Sequence, residues 1–215
     1  MRLYVYEHCP FCVKARMIFG LKNLPVEIKV LLNDDEKTPI SMVGKKMVPI
    51  LQKADGGFMP ESMDIVHYID KSDGKPLLTG PLNASIAAWL RQVSEYTGRL
   101  LLPRFAAAPL EEFSTPEARK YFSDKKQAAS GSFAEHLQHS EGLVKKISQD
   151  LRALDKLIVE PNAVNGELSE DDINLWPLLR SLTIVQGIDW PSRVQDYRDN
   201  MAKQTQVNLL TRLAS

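Results

Sequence analysis

Hydrophobic and polar residues alternate in two short stretches near the start of the chain. Residues 3–6 and 26–32 both follow the two-residue period of a β-strand, and the second stretch is rich in β-branched side chains. Between them, residues 13–19 repeat apolar positions at the spacing of a helix. The pattern predicts a strand–helix–strand unit, in which the helix ends at Gly20 and a turn leads to the second strand.

A shorter helix and a hairpin are expected next. Apolar residues cluster at positions 40–43 and stop at Gly44, which predicts one short helix. Residues 47–52 are then predicted to pair, through a turn at residues 56–57, with a strand that begins at Phe58. The first part of the chain is therefore expected to be an α/β domain.

Two residues around this hairpin carry predictions of their own. Pro49 interrupts a β-like run and has no N–H to give to a sheet, so it marks an edge, a bulge or a cis peptide bond. Ser62 is expected to be the N-cap of a helix with Ile65, Val66 and Ile69 on its apolar stripe. A helix N-terminus with a free hydroxyl also suits a bound carboxylate, and both roles can hold together.

Beyond the hairpin region the chain changes character. Residues 73–83 are rich in Gly, Pro, Lys and Asp, so we expect a linker there, between an α/β domain at 1–72 and an all-helical domain at 84–215. The first long helix is expected to stop near Pro103, and the next is expected to begin at Thr115.

A capping sequence marks the start of a central helix. Ser169 and Asp172 have the spacing of a capping box, in which each side chain accepts a backbone N–H of the other residue. The helix that they open, over residues 173–185, is apolar on nearly all faces and is expected to be the buried centre of the helical domain, with a kink at Pro177. The remaining helices are predicted at residues 143–158 and 193–213.

Charge and composition exclude several classes of partner. The chain has 27 basic and 27 acidic residues, so no strong field attracts nucleic acid or an anionic membrane. No apolar run approaches the ~18 residues of a membrane-spanning helix, and the chain opens on a strand pattern rather than on a signal peptide. Two cysteines in 215 residues favour a reducing, cytoplasmic location. We also expect a monomer.

The motif Cys9-Pro10-Phe11-Cys12 stands at the predicted strand-to-helix junction. Cys9 would be the helix N-cap, Pro10 would take the first helical position at no cost, and Cys12 would lie one turn further on. The positive end of the helix dipole favours a thiolate, and a cysteine in such a site can fall from a pKa of about 8.5 to the range ~3.5–7.5. Cys9 is therefore the expected nucleophile and Cys12 the expected resolving thiol.

A zinc site and a structural disulfide are two other possible uses of the cysteine pair. A zinc site would need ligands from His8, His67, His136 and His139, and the last two are spaced too closely for the usual finger pattern. A structural disulfide would close a four-residue loop, which constrains the unfolded chain little. Redox chemistry is the favoured interpretation, and no metal is expected.

On these residues the chain resembles the large bacterial glutaredoxins, which join a thioredoxin-like glutaredoxin domain to an all-helical domain like that of cytosolic glutathione transferases. The resemblance rests on the Cys-Pro-Phe-Cys motif, on Val48-Pro49, on Glu61-Ser62 after Pro60 and on the Ser169–Asp172 box. It covers essentially the whole chain. It implies a glutathione-dependent thiol–disulfide oxidoreductase with glutathione as co-substrate and with glutathionylated or disulfide-containing proteins as partners.

The resemblance also implies roles for individual residues. Pro49 would be cis and face Cys9, which itself bonds to glutathione. Val48 would offer its backbone to the cysteinyl part of glutathione. Glu61 and Ser62 would hold the γ-glutamyl end.

One position departs from the family pattern. Small glutaredoxins often carry Lys or Arg three residues before the first cysteine, where this chain has Tyr6. The group that holds the glycine carboxylate of glutathione is therefore open. Lys45 and Lys46 are the candidates.

Two other functions are compatible with the same scaffold. A glutathione transferase acting on electrophiles would need only one activating group, which leaves Cys12 unexplained. A redox-sensitive binding or membrane-inserting protein is the second alternative, and the lack of a long apolar segment counts against it. Fold alone does not decide between them.

Overall fold

The computed structural model describes residues 1–215, and its first part is built around a four-stranded sheet. The strands are β1 (Arg2–Val5), β2 (Glu27–Val30), β3 (Ile50–Gln52) and β4 (Phe58–Pro60), and the helices are α1 (Pro10–Leu21), α2 (Lys37–Val43) and α3 (Ser62–Asp70). The strand order is β2-β1-β3-β4, in which β1 and β2 are parallel and the other pairs are antiparallel. The predicted α/β domain, its crossover helix and its hairpin are confirmed.

Side chains of β1 alternate between the two faces of the sheet, as the strand period requires. Leu3 and Val5 join the main core with α1 and α3, whereas Tyr4 joins a small cluster with Leu31 and Ile50 on the other face. Helix α2 covers that second face and ends at Gly44, which adopts the left-handed conformation expected of a C-terminal glycine.

The second part of the chain is entirely helical, as predicted. Its helices are α4 (Ala84–Ala107), α5 (Pro116–Ser130), α6 (Phe133–Gln138), α7 (Ser140–Asp155), α8 (Glu170–Leu182) and α9 (Ser192–Thr205). Thr115 caps α5 by accepting the N–H of Ala118. In α8 the side chains of Ile173, Trp176 and Leu179 are fully buried, so this helix is the centre of the helical half, as expected.

Several expected element boundaries were wrong, including the end of the helix expected over 173–185, which is α8 and stops at Leu182. Helix α4 continues through Pro103 to Ala107, because burial of Leu100 and Phe105 on either side outweighs one lost backbone hydrogen bond. Gly20 lies inside α1, which ends at Leu21. Ser62 is the first helical residue of α3 and makes no capping hydrogen bond, since Glu61 occupies the N-cap position. The helix expected over 143–158 is α7, which stops at Asp155.

The two halves share one hydrophobic core. A single cluster of 41 buried residues runs from the sheet through α1 into the helical half. Helix α1 packs against α3 on one side and against α8 and α9 on the other. The segment between α3 and α4 has no helix or strand, and the division at residues 73–83 stays a prediction.

The capping box at the start of α8 is present and extends into the core. Ser169 Oγ accepts the N–H of Asp171 at 3.3 Å, and Asp172 Oδ2 accepts the N–H of Ser169 at 2.9 Å. Asp172 Oδ1 also accepts the N–H of Val164 and the hydroxyl of Tyr197, each at 2.8 Å. The fully buried Asp172 carboxylate therefore serves the N–H of Val164 and the hydroxyl of Tyr197 besides fixing the helix start.

We expect Asp172→Ala to lower the free energy of unfolding by about 3 kcal/mol or more, because each buried donor left without an acceptor costs about 1–3 kcal/mol. Denaturant unfolding followed by circular dichroism measures this loss. Glu167→Ala, at an exposed position just before the box, is the control and should change stability by less than about 0.5 kcal/mol. Equal stability of the two variants would contradict the role of Asp172.

Close packing of α1 on α9 generates a second stability prediction. A Cβ atom on Gly20 would lie 1.8 Å from the backbone oxygen of Thr205, so Gly20→Ala must push the helices apart. We expect a loss of about 3 kcal/mol, at the upper end of overpacking costs. Gly142→Ala is the matched control, because its Cβ meets no atom within 4 Å and alanine favours a helix by ~0.5–1 kcal/mol. A neutral Gly20→Ala would contradict this account of the helix contact.

Candidate active site

Cys9 is the residue immediately before α1, where it has an extended backbone, and Pro10 takes the first helical position. The backbone oxygen of Cys9 accepts the N–H of Val13 at 3.0 Å, which begins the helix. Cys9 is half-buried, Cys12 is fully buried, and both are free thiols. The expected arrangement, with one cysteine at the helix start and the other a turn later, is therefore present.

The two thiols differ in acidity. The pKa of Cys9 is lowered to about 6, chiefly by a hydrogen bond from the Cys12 thiol, although burial acts in the opposite direction. The charge of His8 and the backbone N–H groups of Phe11 and Cys12 lower it further. Burial raises the pKa of Cys12 well above its ordinary value. At neutral pH Cys9 is therefore the thiolate and Cys12 keeps its proton.

His8 is clamped by a carboxylate of the helical half. Glu112 Oε1 lies 2.7 Å from His8 Nδ1 and accepts the backbone N–H of His8 at 2.9 Å. Rings of Phe105, Phe113 and Phe122 surround the imidazole at centroid distances of 5.0 to 5.3 Å. His8, the residue before Cys9, is thus held among aromatic rings.

Glu7, one residue earlier, is held by two arginines. Arg16 Nη1 donates to Glu7 Oε2 at 2.7 Å, while the fully buried Arg180 of α8 donates to the other carboxylate oxygen and, at 2.9 Å, to the backbone oxygen. Burial lowers the pKa of Arg180 to about 10, and the charge of Glu7 opposes that effect, so the guanidinium stays ionised at neutral pH. Both residues of the loop before Cys9 are therefore anchored in the helical half.

A cavity of about 380 Å³ opens beside Cys9, and both halves of the chain form its wall. Lys46 contributes a positive charge, donates to the backbone oxygen of Asn33 and lies 3.6 Å from the ring centroid of Tyr121. Two further cations come from α5. The polar and aromatic groups of this wall are Tyr6, His8, Asn33, Lys46, Tyr121, Phe122, Lys125 and Lys126.

Three loops converge at the same end of the sheet. Tyr4 pairs with Ile50, and Ile50 pairs with Pro60. The C-terminal end of β1, the N-terminal end of β3 and the C-terminal end of β4 are therefore neighbours. These ends carry the cysteine motif, Val48-Pro49 and Glu61-Ser62, respectively. The sheet register thus brings these three segments to one end of the sheet, and of their predicted glutathione-site residues Cys9 and Val48 line the cavity.

The peptide bond between Val48 and Pro49 is cis, which is one of the alternatives left open by the sequence and the one implied by the resemblance. Val48 lines the 380 Å³ cavity together with Cys9. Glu61 has φ 68° and ψ 116°, a conformation that costs a non-glycine residue of order 1–3 kcal/mol and is concentrated at functional sites. Ser62 is buried at the N-terminus of α3, and its hydroxyl makes no hydrogen bond within the protein.

The two lysines proposed for the glycine carboxylate lie in different places. Lys45 is exposed and forms an ion pair with Glu61 at 3.2 Å. Lys46 faces the cavity beside Cys9. The geometry therefore favours Lys46 over Lys45 as a ligand of an anion held in that cavity.

A larger cavity, of about 650 Å³, opens on the other side of Cys9, between α1, α4 and α8. Leu90, Leu102 and Leu178 give it an apolar wall, and Lys14 and Arg91 add positive charge. His8 and Cys9 line both cavities, so Cys9 lies between a cationic cavity and one with an apolar wall.

The zinc alternative lacks a set of ligands. His8 pairs with Glu112, and His67 pairs with Glu170 Oε1 at 2.7 Å. No group of three or more His, Cys, Asp or Glu side chains is arranged to hold a metal ion. None of the helices combines the length and the apolar character that crossing a membrane requires.

Sequence reasoning missed every contribution of the helical half to this site. Arg180 had a usable signal, because it is the only charged residue in the largely apolar stretch 173–185. Glu112, Tyr121 and Lys125 had none, since they stand in polar stretches that resemble ordinary solvent-exposed surface.

Two family models match the chain: Glutathione S-transferase, N-terminal domain, over residues 3–77, and Glutaredoxin 2, C terminal domain, over residues 85–214. Glutaredoxin 2 of Escherichia coli strain K12 is 71% identical over 214 residues, which cover 100% of both chains. Glutaredoxin 2 of Escherichia coli O157:H7 matches to the same extent.

Solved structures give the same grouping. The crystal structure of Glutaredoxin 2 from Salmonella typhimurium in complex with glutathione superposes with a TM-score of 0.99 at 69% identity, over 100% of this chain and 98% of that one. Gtt2 from Saccharomyces cerevisiae superposes with a TM-score of 0.57 at 20% identity, over 99% of this chain and 100% of that one. The second likeness shows the fold alone.

We expect the alkylation rate of the reduced protein to rise with pH through a midpoint of about 6, because only the Cys9 thiolate reacts and Cys12 is buried. Cys12→Ala removes the largest cause of that acidity and should raise the midpoint by about one unit. Cys12→Ser keeps a hydrogen-bond donor and is the control, with a smaller shift. A wild-type midpoint near ~8.5, the value of a free thiol, would contradict the geometry described for Cys9.

Proposed function

As a member of the glutaredoxin 2 family the chain is a glutathione-dependent thiol–disulfide oxidoreductase, and we propose that Cys9 is its nucleophile and Cys12 its resolving thiol. The observation that carries this assignment is the pair of opposite acidities. Cys9 is half-buried, with a pKa of about 6, and the adjacent Cys12 is buried and keeps its proton. The thiolate is the attacking species in disulfide exchange.

The first step breaks the mixed disulfide of a glutathionylated protein. The Cys9 thiolate attacks the sulfur of the bound glutathione, a Cys9–glutathione disulfide forms, and the protein sulfur leaves as a thiolate that takes up a proton. A second glutathione thiolate then attacks the same glutathione sulfur. This releases oxidised glutathione and restores the Cys9 thiolate, so each cycle consumes one free glutathione, and the other half of the oxidised product comes from the substrate.

A protein disulfide requires the second thiol. Attack by Cys9 leaves the substrate bound to Cys9 through one sulfur. Cys12 then attacks Cys9, its proton passes to the departing substrate sulfur, and a Cys9–Cys12 disulfide remains for glutathione to reduce. The burial of Cys12 keeps it from reacting with anything other than the sulfur next to it.

Glutathione would lie against Cys9 with its glycine end in the 380 Å³ cavity and its γ-glutamyl end outside that cavity, at Glu61 and Ser62. In support, glutathione is bound in the structure of the Salmonella relative. The backbone of Val48 would pair with the cysteinyl part, and Glu61 and Ser62 would hold the γ-glutamyl end, where the N-terminus of α3 attracts its carboxylate. Lys46 is positioned to take the glycine carboxylate, with Lys125 and Lys126 adding positive charge.

The larger cavity would receive the other side of the disulfide. Because Cys9 lies between both spaces, glutathione on one side leaves the 650 Å³ cavity for the protein segment that carries the leaving sulfur. Its apolar wall and the exposed Phe11 suit such a segment. Glutathionylated and disulfide-containing proteins are therefore the proposed substrates.

The setting of the protein is also a proposal. Two free cysteines, one of them ionised at neutral pH, fit a reducing cytoplasm better than an oxidising compartment. We propose a monomer, since the chain buries its helices in one shared core, with the two domains divided at residues 73–83.

The glutathione transferase alternative is disfavoured by the same two thiols. A transferase has to activate only the sulfur of glutathione, and a second, buried thiol next to the first contributes nothing to that task. In this chain the buried thiol is the largest single cause of the acidity of Cys9.

Steady-state rates with a glutathionylated peptide test the assignment. Cys9→Ser should lose all activity, because the nucleophile is gone. Cys12→Ser should keep most of it, because a second glutathione resolves the intermediate unaided. Glu61→Ala and Ser62→Ala should raise the KM for glutathione about tenfold, the effect of losing ~1.5 kcal/mol of charge-assisted hydrogen bonding. Ser114→Ala, at an exposed serine whose side chain makes no hydrogen bond, is the control.

Loss of all activity in Cys12→Ser would mean that the protein works by the dithiol route alone. An unchanged KM in Glu61→Ala and Ser62→Ala would remove these residues from the glutathione site. Conjugation of a chlorinated aromatic faster than disulfide reduction would favour a transferase instead.

A further inference from the structure

We propose that Glu112 is a positioning residue for Cys9: acting through His8, it holds both the loop before the nucleophile and a positive charge beside the thiolate. This inference rests on the proposed role of Cys9 as nucleophile. It assigns a function in the reaction to a residue of the helical half, 104 positions away from His8 in sequence.

The geometry of Glu112 is that of a clamp. One carboxylate oxygen binds both the ring and the backbone N–H of His8, so the residue before Cys9 can neither rotate its ring nor shift its peptide without losing a contact. The backbone oxygen of Glu112 accepts the N–H of Asn33 at 2.9 Å. A single residue of the turn at Glu111–Phe113 therefore fixes two loops that line the 380 Å³ cavity.

The cost of this clamp indicates a function beyond packing. Glu112 is fully buried, and its second oxygen, Oε2, has no hydrogen-bond partner. A buried carboxylate oxygen without a partner is expensive, and an apolar side chain of similar volume would stabilise the same pocket better. A buried carboxylate at this position is therefore expected to have a function that depends on its negative charge.

The charge reaches Cys9 through His8. Burial acts to raise the pKa of Glu112, but the hydrogen bond and charge of His8 outweigh it and leave the pKa below its ordinary value, so the group is ionised. The ionised carboxylate lies 2.7 Å from His8 Nδ1, and the charge of His8 in turn favours the Cys9 thiolate. The aromatic rings packed on His8 and the burial of Glu112 lower the local dielectric and strengthen the contact between the two residues.

Other titratable groups near Glu112 and His8 do not take over the interaction of Glu112 with the His8 ring. Tyr6 stacks on His8 at a centroid distance of 5.9 Å, and burial raises the pKa of its hydroxyl, so it stays neutral. Arg180 on α8 is near enough for its charge to interact with Glu112, but its hydrogen bonds go to Glu7 and Asn208. The charge of Glu112 also raises the pKa of Cys12, the other thiol of α1.

The sign of the effect separates the proposal from its alternatives. A bare negative charge near Cys9 would disfavour the thiolate, so removing it would lower the alkylation midpoint. If Glu112 acts through His8, removing its charge also removes the positive charge on the ring, and the midpoint rises. A residue with a purely structural role would change stability and leave the midpoint in place.

The test is the pH profile of Cys9 alkylation in Glu112→Gln, which keeps the shape and an accepting oxygen. We expect the midpoint to rise by about one unit, which corresponds to an alkylation rate about fivefold lower at pH 6. Glu111→Gln, one residue earlier and exposed, is the matched control and should keep the wild-type midpoint. If Glu112→Gln does not fold, Glu112→Asp withdraws the charge by one methylene and should give a smaller rise.

A second background tests the path through His8. Once His8→Asn has removed the ring charge, Glu112→Gln should produce no further rise of the midpoint. A midpoint that is unchanged or lower in Glu112→Gln, or a further rise in the His8→Asn background, would overturn the proposal. Alkylation needs no glutathione, so these outcomes are independent of the rate measurements that test the glutathione site.

Discussion

The buried contacts on Glu7 and His8 are the interactions on which the active site depends. These two residues connect β1 to α1, and a connecting loop is normally mobile and solvated. Here Arg180 holds one of them and Glu112 holds the other, both from the helical half. Buried ion pairs contribute little net stability, because desolvation offsets their attraction. What they provide is a fixed geometry for Cys9, the next residue along the chain.

At neutral pH Cys9 is ionised and Cys12 is protonated, and this difference determines which of the two sulfurs can react first. The helix start and the Cys12 thiol stabilise the Cys9 thiolate, while burial keeps the proton on Cys12. Attack from outside can therefore begin only at Cys9. The two cavities suit the two halves of a mixed disulfide. The one lined by Lys46 is cationic and suits glutathione, and the one with an apolar wall suits the protein segment.

Local rules of the sequence were enough for much of this structure. The alternation in β1, the left-handed Gly44 and the box at Ser169 and Asp172 all depend on neighbours within a few residues, and all are present. Pro103 and Ser62 were misplaced because tertiary burial and the unusual conformation of Glu61 overrode local preference. The partners of His8 and Glu7 lie 104 and 173 positions away, a separation at which no periodicity or motif carries information.

These long-range contacts also account for the presence of the helical half. The thioredoxin-like part leaves one side of α1 uncovered, and α8 and α9 bury that side in a core continuous with the sheet. The same helices carry Arg180 to Glu7, and the turn after α4 carries Glu112 to His8. Because α1 begins at the nucleophile, anything that fixes this helix and the loop before it also fixes Cys9. The helical half is therefore part of the active site, and without it the residues that precede Cys9 would be exposed to solvent.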